Sequence, residues 1–283
     1  MDREIDSTGR QIEREETPLR EESRPAVSRE ERPLRGRGYI CQLSPAELET
    51  LRDVGRFRTV ALTDLAQYRY QRKESQMWDD LRSLRAQGLL QRRTIWTGGK
   101  GKQISVLVLT KAGKAVLERA EKLDPAQQVY AGFVKPAEVH HDAAIYRMYH
   151  AEAGKIAAIG GRIRRVVLDY ELKRKIYSPL AKAKAQANVS GPREYARRQA
   201  EIAQQNSLKV VRGKILLPDL RIEYETPGGE RTHVDLELAT HHYRGSQMRA
   251  KAEAGFKMYA PQDSVAGLRA AFDPELVARI FSL

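Results

Sequence analysis

The sequence predicts a mixed α+β protein with a charged N-terminal tail, a small helical unit ending in a β-hairpin, and a larger C-terminal α/β domain. Three observations support this prediction. Residues 1–40 show almost no apolar periodicity, residues 41–128 contain three short helical patterns followed by two strand patterns, and residues 129–283 mix helical and strand patterns. A length of 283 residues also fits about two folded domains.

The charge balance points to a polyanionic partner. Lys and Arg number 50 against 37 Asp and Glu, a formal net charge of +13. The tail, residues 1–40, holds ten acidic and nine basic residues, so the remainder carries the whole surplus. We expect the tail to be disordered, since it cannot bury enough apolar surface to offset its chain entropy; the alternative is an arm that becomes ordered on a partner. A strongly basic folded part favours nucleic acid as the partner.

Several classes of protein are excluded by composition. No run approaches the roughly 18 apolar residues of a membrane helix, and the N-terminus has no apolar segment typical of a secretory signal. The single cysteine, Cys41, excludes a disulfide framework and a cysteine-built zinc site. We therefore expect a cytoplasmic protein with no membrane partner.

Three helical patterns open the helical unit. Ser44-Pro45-Ala46-Glu47 has the residues of a capped helix start, with Glu three positions after the cap. Thr63 is the expected N-cap of a second helix. A third helix is predicted between Ser75 and Gly88, with Trp78, Leu81 and Leu84 on its apolar stripe.

A strand pair follows these helices. Residues 89–96 and 103–109 have strand patterns, joined by a glycine-rich basic turn, and Thr110 is the expected cap of a helix over 111–121. Three helices and a hairpin with a basic tip predict a winged helix-turn-helix over residues 41–128.

The winged helix is where basic residues concentrate, because residues 69–119 hold twelve bases and four acids. A short third helix fits the major groove of duplex DNA, and bases beside it reach phosphates. The predicted DNA contacts are Arg69, Arg72, Lys73, Ser75, Gln76, Arg82, Arg85, Arg92, Arg93, Lys100 and Lys102. Asp79 and Asp80 oppose this prediction unless they pair with Arg82 and Arg85. The alternative is a winged helix that docks a protein.

The C-terminal half reads as helix, strand, helical insertion, two strands and helix. The predicted spans are a helix over 137–153, a strand-like segment over 162–175, a helical insertion over about 178–208, strands over 214–225 and 233–240, and a helix over 246–259. His140, His141 and His150 lie on the first helix, where histidines are more often structural than zinc ligands.

Pro218-Asp219 on one strand and Asp235 and Glu237 on the next resemble the PD-(D/E)xK motif of restriction-endonuclease-like folds. The resemblance implies an α/β nuclease-like domain in which Asp219, Asp235 and Glu237 would hold Mg²⁺. The lysine of the motif is missing from this strand. Either a carboxylate takes its place, or Lys251 or Lys257 on the next helix replaces it, and Glu171 is a further candidate acid.

The same acids have a plainer explanation, which is that they form the polar face of a half-exposed strand pair. In that case no metal is needed, and we expect no cofactor.

From Leu43 to Tyr259 the chain also resembles the replication-relaxation family of plasmid and mobile-element proteins. The matching segments are Leu43-Ser44-Pro45, Leu81-Arg82-Ser83-Leu84, Gly88-Leu89-Leu90, Leu109-Thr110-Lys111-Ala112-Gly113, His141, Pro218-Asp219 and Asp235-Leu236-Glu237-Leu238. The resemblance implies a bacterial DNA-binding protein that acts in replication, mobilisation or transcriptional control, and it does not by itself imply an active site.

We therefore expect a non-catalytic binder of double-stranded DNA, whose nuclease-like domain adds DNA contacts or a homodimer interface. A Mg²⁺-dependent endonuclease with Asp219, Asp235, Glu237 and Lys251 in its active site is the first alternative. A protein-interaction module of a replication or conjugation complex is the second.

Overall fold

The computed structural model describes residues 32–35, 40–96, 103–120, 123–133, 135–240, 243–271 and 280–283 of the chain. Within these ranges nine α-helices and twelve strands in four sheets are present, which confirms the predicted mixed α+β class. None of the described helices is both long and apolar enough to cross a membrane.

Most of the predicted tail lies outside the described residues, and one segment of it departs from the expected disorder. Arg32–Arg35 (β1) pairs antiparallel with Ile40–Leu43 (β2), with Arg35 opposite Ile40. The backbone hydrogen bonds of β2, whose Cys41 and Leu43 belong to the hydrophobic core, provide a template for this pairing.

The helical unit continues as alternating helices and strands. Its elements are α1 (Pro45–Phe57), β3 (Val60–Ala61), α2 (Leu62–Tyr68), α3 (Glu74–Ala86), β4 (Leu90–Trp96), β5 (Gln103–Leu109) and α4 (Lys111–Arg119). β5 lies between β3 and β4 and is antiparallel to both. The four helices and the strands β4 and β5 agree with the prediction to within two residues at each end, whereas β3 was not predicted.

Local capping signals explain where two of these helices begin. Ser44 and Glu47 form the predicted capping box at α1, and the Thr110 hydroxyl accepts from Gly113 N at α4. The predicted cap at Thr63 is wrong, because α2 begins at Leu62 directly after Ala61. Pairing of β3 with β5 holds Ala61 in extended backbone and so sets the helix start.

The apolar stripe of α3 is also displaced from the prediction. Met77, Leu81 and Leu84 are buried, whereas Trp78 remains 37% exposed. A stripe that begins at Met77 and one that begins at Trp78 both have the three-to-four residue spacing of a helix face. Spacing alone therefore did not distinguish between them.

The C-terminal half is built on a five-stranded sheet. Its elements are α5 (Val139–Ala158), β6 (Arg162–Leu168), α6 (Asp169–Ser190), α7 (Pro192–Gln205), β7 (Val210–Val211), β8 (Lys214–Ile215), β9 (Leu220–Glu225), β10 (Arg231–Leu238), α8 (Gly245–Ala254), β11 (Lys257–Ala260), α9 (Gln262–Ala271) and β12 (Ile280–Ser282). The strand order is β12-β11-β10-β9-β6. β6, β9 and β10 are antiparallel, and β10, β11 and β12 are parallel.

Two predicted elements in this half change type along their length. The strand expected over 162–175 ends at Leu168, and α6 begins at Asp169, where i,i+4 ion pairs such as Lys173 with Asp169 favour helix. The helix expected over 246–259 ends at Ala254. Gly255 then adopts a left-handed φ of 93°, and the chain enters β11.

Helix α5 joins the two halves into one core. It packs on α1, α2 and β3 on one side and on β6, β9 and β10 on the other. A single hydrophobic cluster runs from Leu51 and Phe57 through Tyr146 to Leu220 and Leu236. The segment after α4 is docked as well, because the Gln127 amide exchanges two hydrogen bonds of 2.8 Å with the backbone of Val166.

An aromatic cluster between α1, α2 and α5 contains a half-buried histidine, His150. The His150 ring stacks on Tyr68 at 4.6 Å and meets Tyr146 and Tyr149 edge to face. Burial lowers the pKa of His150 to about 4, and Arg56 and Arg69 add to this effect against the attraction of Asp53. His150 is therefore neutral in the folded protein at neutral pH.

We expect this histidine to make the fold sensitive to acid. The pKa of His150 is lower in the folded than in the unfolded chain, so the unfolded chain binds the proton first as the pH falls. The free energy of unfolding therefore decreases between about pH 6.5 and about pH 4. Urea unfolding of His150→Phe should show a weaker loss than the parent chain across this range. His140→Gln, an exposed change on the same helix, is the control and should follow the parent; equal losses in His150→Phe and parent would contradict the assignment.

Candidate functional site

One face of α3 and its flanking segments is exposed and rich in basic and hydrogen-bonding side chains. Ser75 and Gln76 lie in the first turn of α3, and Arg82 and Arg85 in its second half. We call the exposed set Arg72, Lys73, Ser75, Gln76, Arg82, Arg85 and Arg92 the α3 surface.

The turn between α2 and α3 divides its basic residues between surface and interior. Arg72 and Lys73 are exposed, as predicted. Arg69 is held instead by α1, because its guanidinium donates to Glu49 at 2.9 Å and to Asp53 at 3.0 Å. Arg69 therefore connects α1 with the end of α2 and is not displayed with Arg72 and Lys73.

The two neighbouring acids of α3, Asp79 and Asp80, lie in different environments. Asp79 forms the predicted ion pair with Arg82 at 2.9 Å. Asp80 is only 1% exposed and accepts a hydrogen bond of 3.1 Å from the Tyr70 hydroxyl. Burial of Asp80 removes one of the two negative charges that would repel a polyanion at this surface.

The two arginines of β4 point to opposite faces of the sheet. Arg92 lies opposite Leu107, with its guanidinium 5.4 Å from the centre of the Trp78 ring on α3. Arg93 lies opposite Val106, on the face covered by Phe133, whose ring centre is 5.0 Å from its guanidinium. Strand alternation thus places Arg92 beside α3 and Arg93 away from it. Lys100 and Lys102, predicted at the hairpin tip, lie outside the described residues.

A second polar cluster lies at one end of β6, β9 and β10. Asp219 immediately precedes β9, and the register that pairs Leu220 with Leu236 brings Asp219 beside Glu237 on β10. Asp219 accepts from Leu238 N at 2.9 Å and lies 3.4 Å from His141 Nε2. Burial alone would raise the pKa of Asp219, but His141 and the Leu238 amide outweigh it and lower the pKa.

Glu237 is the most deeply buried acid of this cluster, at 1% exposure. Its Oε1 lies 2.6 Å from Lys251 Nζ and accepts from the Tyr243 hydroxyl, while its Oε2 has no hydrogen-bond partner among the described residues. Burial, and then Asp219, raises the pKa of Glu237 to about 7 against the opposing effect of Lys251. Lys251, on α8, is one of the two lysines that the sequence offered in place of the missing strand lysine, and it is the one that contacts Glu237.

Asp235 is separated from this cluster by its own partner. Its two oxygens accept from Arg221 at 2.6 and 2.8 Å, and both side chains are buried. Arg221 Nη1 donates to the carbonyl of Asn206, and Nη2, which also donates to Asp235, donates to the carbonyl of Ser207. The Asp235 carboxylate is therefore part of a structural ion pair that also anchors the end of α7.

The structure adds residues that the motif did not identify and places two candidates, Lys257 and Glu171, with other partners. His141 contacts Asp219, and the amide of Asp169 donates to the Asp219 carbonyl at 3.2 Å. Burial opposes the charge of His141, but hydrogen bonds to Asp142 and Asp219 raise its pKa to about 10. Lys257 lies elsewhere, on β11, at 2.6 Å from Glu152. Glu171 is paired with Arg165 and Lys175.

The donor set can be compared with the needs of Mg²⁺, which prefers carboxylate oxygens. Asp219 and Glu237 fit this preference, and Glu237 Oε2 accepts no hydrogen bond from any residue that the structure describes. Asp235 does not fit, because Arg221 occupies both of its oxygens. Among the described residues no group of three or more His, Cys, Asp or Glu side chains is arranged to hold a metal ion.

Comparison with models of known protein families gives no match, and comparison with curated proteins gives no similar sequence.

The ion pair of Asp235 and Arg221 generates a test of its structural role. Arg221→Leu should lower the free energy of unfolding by about 3–5 kcal/mol, because it leaves a buried carboxylate without a partner. The double variant Arg221→Leu/Asp235→Leu should recover much of that loss, as measured by urea unfolding. The single variant Asp235→Leu completes the comparison. If the loss in the double variant equals the sum of the losses in the two single variants, the two side chains do not act as a pair.

Proposed function

We propose that the protein binds double-stranded DNA through the α3 surface, with residues 41–128 acting as a winged helix-turn-helix. The observation that carries this proposal is the division of α3 into a face that buries Asp80 and a face that exposes Gln76, Arg82 and Arg85. The order α1, β3, α2, α3, β4, β5, with β5 central in its sheet, supports the assignment.

The residues of the α3 surface have chemistries suited to both kinds of DNA contact. An amide such as that of Gln76 can bind adenine through two hydrogen bonds, and an arginine can bind guanine in the same way. Arg72, Lys73 and Arg92 lie beside the helix, where phosphate contacts position a protein on the duplex. The major groove, about 12 Å wide, admits a helix of this kind.

We further propose that the C-terminal half is a restriction-endonuclease-like domain without catalytic activity. The order helix, three antiparallel strands, helix and parallel strand, given by α5, β6, β9, β10, α8 and β11, supports this assignment. The resemblance to the replication-relaxation family suggests a role in replication, mobilisation or transcriptional control of a plasmid or mobile element.

A Mg²⁺-dependent nuclease is the second candidate function, and one contact favours it. Lys251 Nζ lies 2.6 Å from Glu237, so α8 supplies the lysine that β10 lacks. Asp219 and Glu237 would hold the ion, which would activate water and stabilise phosphoryl oxygens. The contacts of Glu237 with Lys251 and Tyr243 equally satisfy a buried carboxylate without a metal, which is why the non-catalytic proposal ranks first.

We expect neutralisation of the α2–α3 turn to weaken binding to all DNA sequences alike. Each lost phosphate contact makes the plot of log Kobs against log salt shallower by about 0.9. Arg72→Gln/Lys73→Gln should therefore reduce the slope by about 2 in fluorescence anisotropy titrations with a labelled duplex. Gln76→Ala should instead change the ranking of duplexes of different sequence and leave the slope nearly unchanged.

A matched control removes two charges from another part of the surface. Arg162 and Arg231 both pair with Glu225 and are 67% and 83% exposed, so Arg162→Gln/Arg231→Gln should retain the parent slope. Absence of salt-sensitive duplex binding by the parent chain would overturn the DNA proposal and favour a protein-interaction module of a replication or conjugation complex.

For supercoiled plasmid, the non-catalytic proposal predicts binding without strand breaks in the presence of Mg²⁺ or Mn²⁺. Agarose gels of parent, Asp219→Ala and Glu230→Ala, an exposed acid in the β9–β10 turn, provide the measurement. Metal-dependent breaks that disappear in Asp219→Ala and persist in Glu230→Ala would instead establish the nuclease.

A further inference from the structure

Helix α6 leaves the sheet beside the Asp219–Glu237 cluster and is firmly anchored. It begins at Asp169, directly after β6, and its 22 residues extend for about 33 Å. Ile176 on its inner side is fully buried in a cluster with Ile202, Leu208 and Phe256. The orientation of the outer side of α6 is therefore set by packing.

The outer side of α6 carries positive charge. Its exposed ionisable side chains, among those that the structure describes, are all basic, namely Lys173, Arg174, Lys175, Lys182 and Lys184. At 100° per residue these bases surround the side opposite Ile176, and Tyr177 lies among them at 55% exposure. We call these six residues the basic arc of α6.

Three charges of the basic arc are uncompensated. Lys173 and Lys175 pair with Asp169 and Glu171, whereas Arg174, Lys182 and Lys184 form no ion pair with any described residue. This excess is not a general property of the helical insertion.

On the neighbouring helix α7 two of the three arginines are compensated, and only Arg193 forms no ion pair with a described residue. Arg197 and Arg198 each form ion pairs with Glu194 and Glu201 at 2.5–3.3 Å. A solvated helix surface commonly shows such i,i+3 and i,i+4 pairing. Arg174, Lys182 and Lys184 have no acidic partner among the described residues. We infer that an anionic ligand neutralises their positive charge.

We propose that the basic arc of α6 is a second DNA-binding surface that contacts phosphates of the duplex held by the α3 surface. This inference rests on the proposed DNA-binding function. Positive charges spread along and around one side of a helix are complementary to the phosphates of a duplex. Arg174 and Lys184 are about 15 Å apart along the helix axis, which corresponds to about four base pairs, and the Tyr177 hydroxyl can donate to a phosphate between them.

An anionic membrane is a poorer match to this surface. Helices that lie in a membrane interface combine cations with a face of large apolar side chains. Among the described side chains of α6, Leu172 and Ile176 are buried in the core, and Tyr177 is the only large one with apolar character that is exposed.

The test is the salt dependence of duplex binding by the full chain. Arg174→Gln/Lys182→Gln/Lys184→Gln should make the slope of log Kobs against log salt shallower by about 2 to 3, while the ranking of different DNA sequences is unchanged. Arg193→Gln/Arg197→Gln/Arg198→Gln removes the same number of charges from α7 and should retain the parent slope. Thermal unfolding of both triple variants verifies that each is folded.

The outcomes separate this inference from the proposed function. If the parent binds duplex and Arg72→Gln/Lys73→Gln weakens binding, but the α6 triple variant keeps the parent slope, the α6 inference alone is overturned. If the parent does not bind duplex at all, both fail. Binding to vesicles of anionic phospholipid that is lost in the α6 triple variant, with duplex binding unchanged, would assign the arc to a membrane and overturn the inference.

Discussion

The arrangement of the helical unit on the rest of the chain depends on the burial of one carboxylate, that of Asp53 on α1. Asp53 is 3% exposed, and it accepts from Arg56 at 2.7 Å, from Arg69 at 3.0 Å and from the Tyr146 hydroxyl at 3.1 Å. These donors come from α1 itself, from the end of α2 and from α5. A buried charge is tolerated only when it is fully partnered, so α2 and α5 must both be in place for α1 to pack.

This requirement makes α5 the element that connects the helical unit with the sheet that carries the carboxylate cluster. The aromatic rings of Phe57, Tyr146 and Tyr149 cover the Asp53 network on one side. At the start of the same helix His141 reaches Asp219. The helical unit that contains α3 and the sheet that carries the carboxylate cluster are thus both packed on α5.

The carboxylate cluster shows how structural and catalytic roles compete for the same side chains. The neighbouring carboxylates of Asp219 and Glu237 repel one another when both are ionised. Lys251 lies beside Glu237 and His141 beside Asp219, and their positive charges oppose this repulsion. Each cation favours the ionised form of the carboxylate beside it without a metal, although burial and Asp219 still raise the pKa of Glu237 to about 7. The same cations would have to release or share these oxygens if Mg²⁺ entered, which is the physical ground for ranking a scaffold role above cleavage.

The sequence by itself determined the features that depend on near neighbours. The capping box of Ser44 and Glu47 spans four residues, the strand at Gln103–Leu109 follows from period-two alternation, and the uneven charge is a matter of composition. It also placed Asp219 and Glu237 on neighbouring strands, because a short turn after β9 leaves few other pairings.

Only the tertiary structure decided which charged groups are available. Asp79 and Asp80 are adjacent in sequence, yet Tyr70 buries one and leaves the other at the surface. Asp235 matches the motif as well as Glu237 does, yet Arg221 occupies it, and Lys251 comes from a helix that the motif does not include. Burial and partner choice arise from contacts between elements distant in sequence, and local patterns do not encode them.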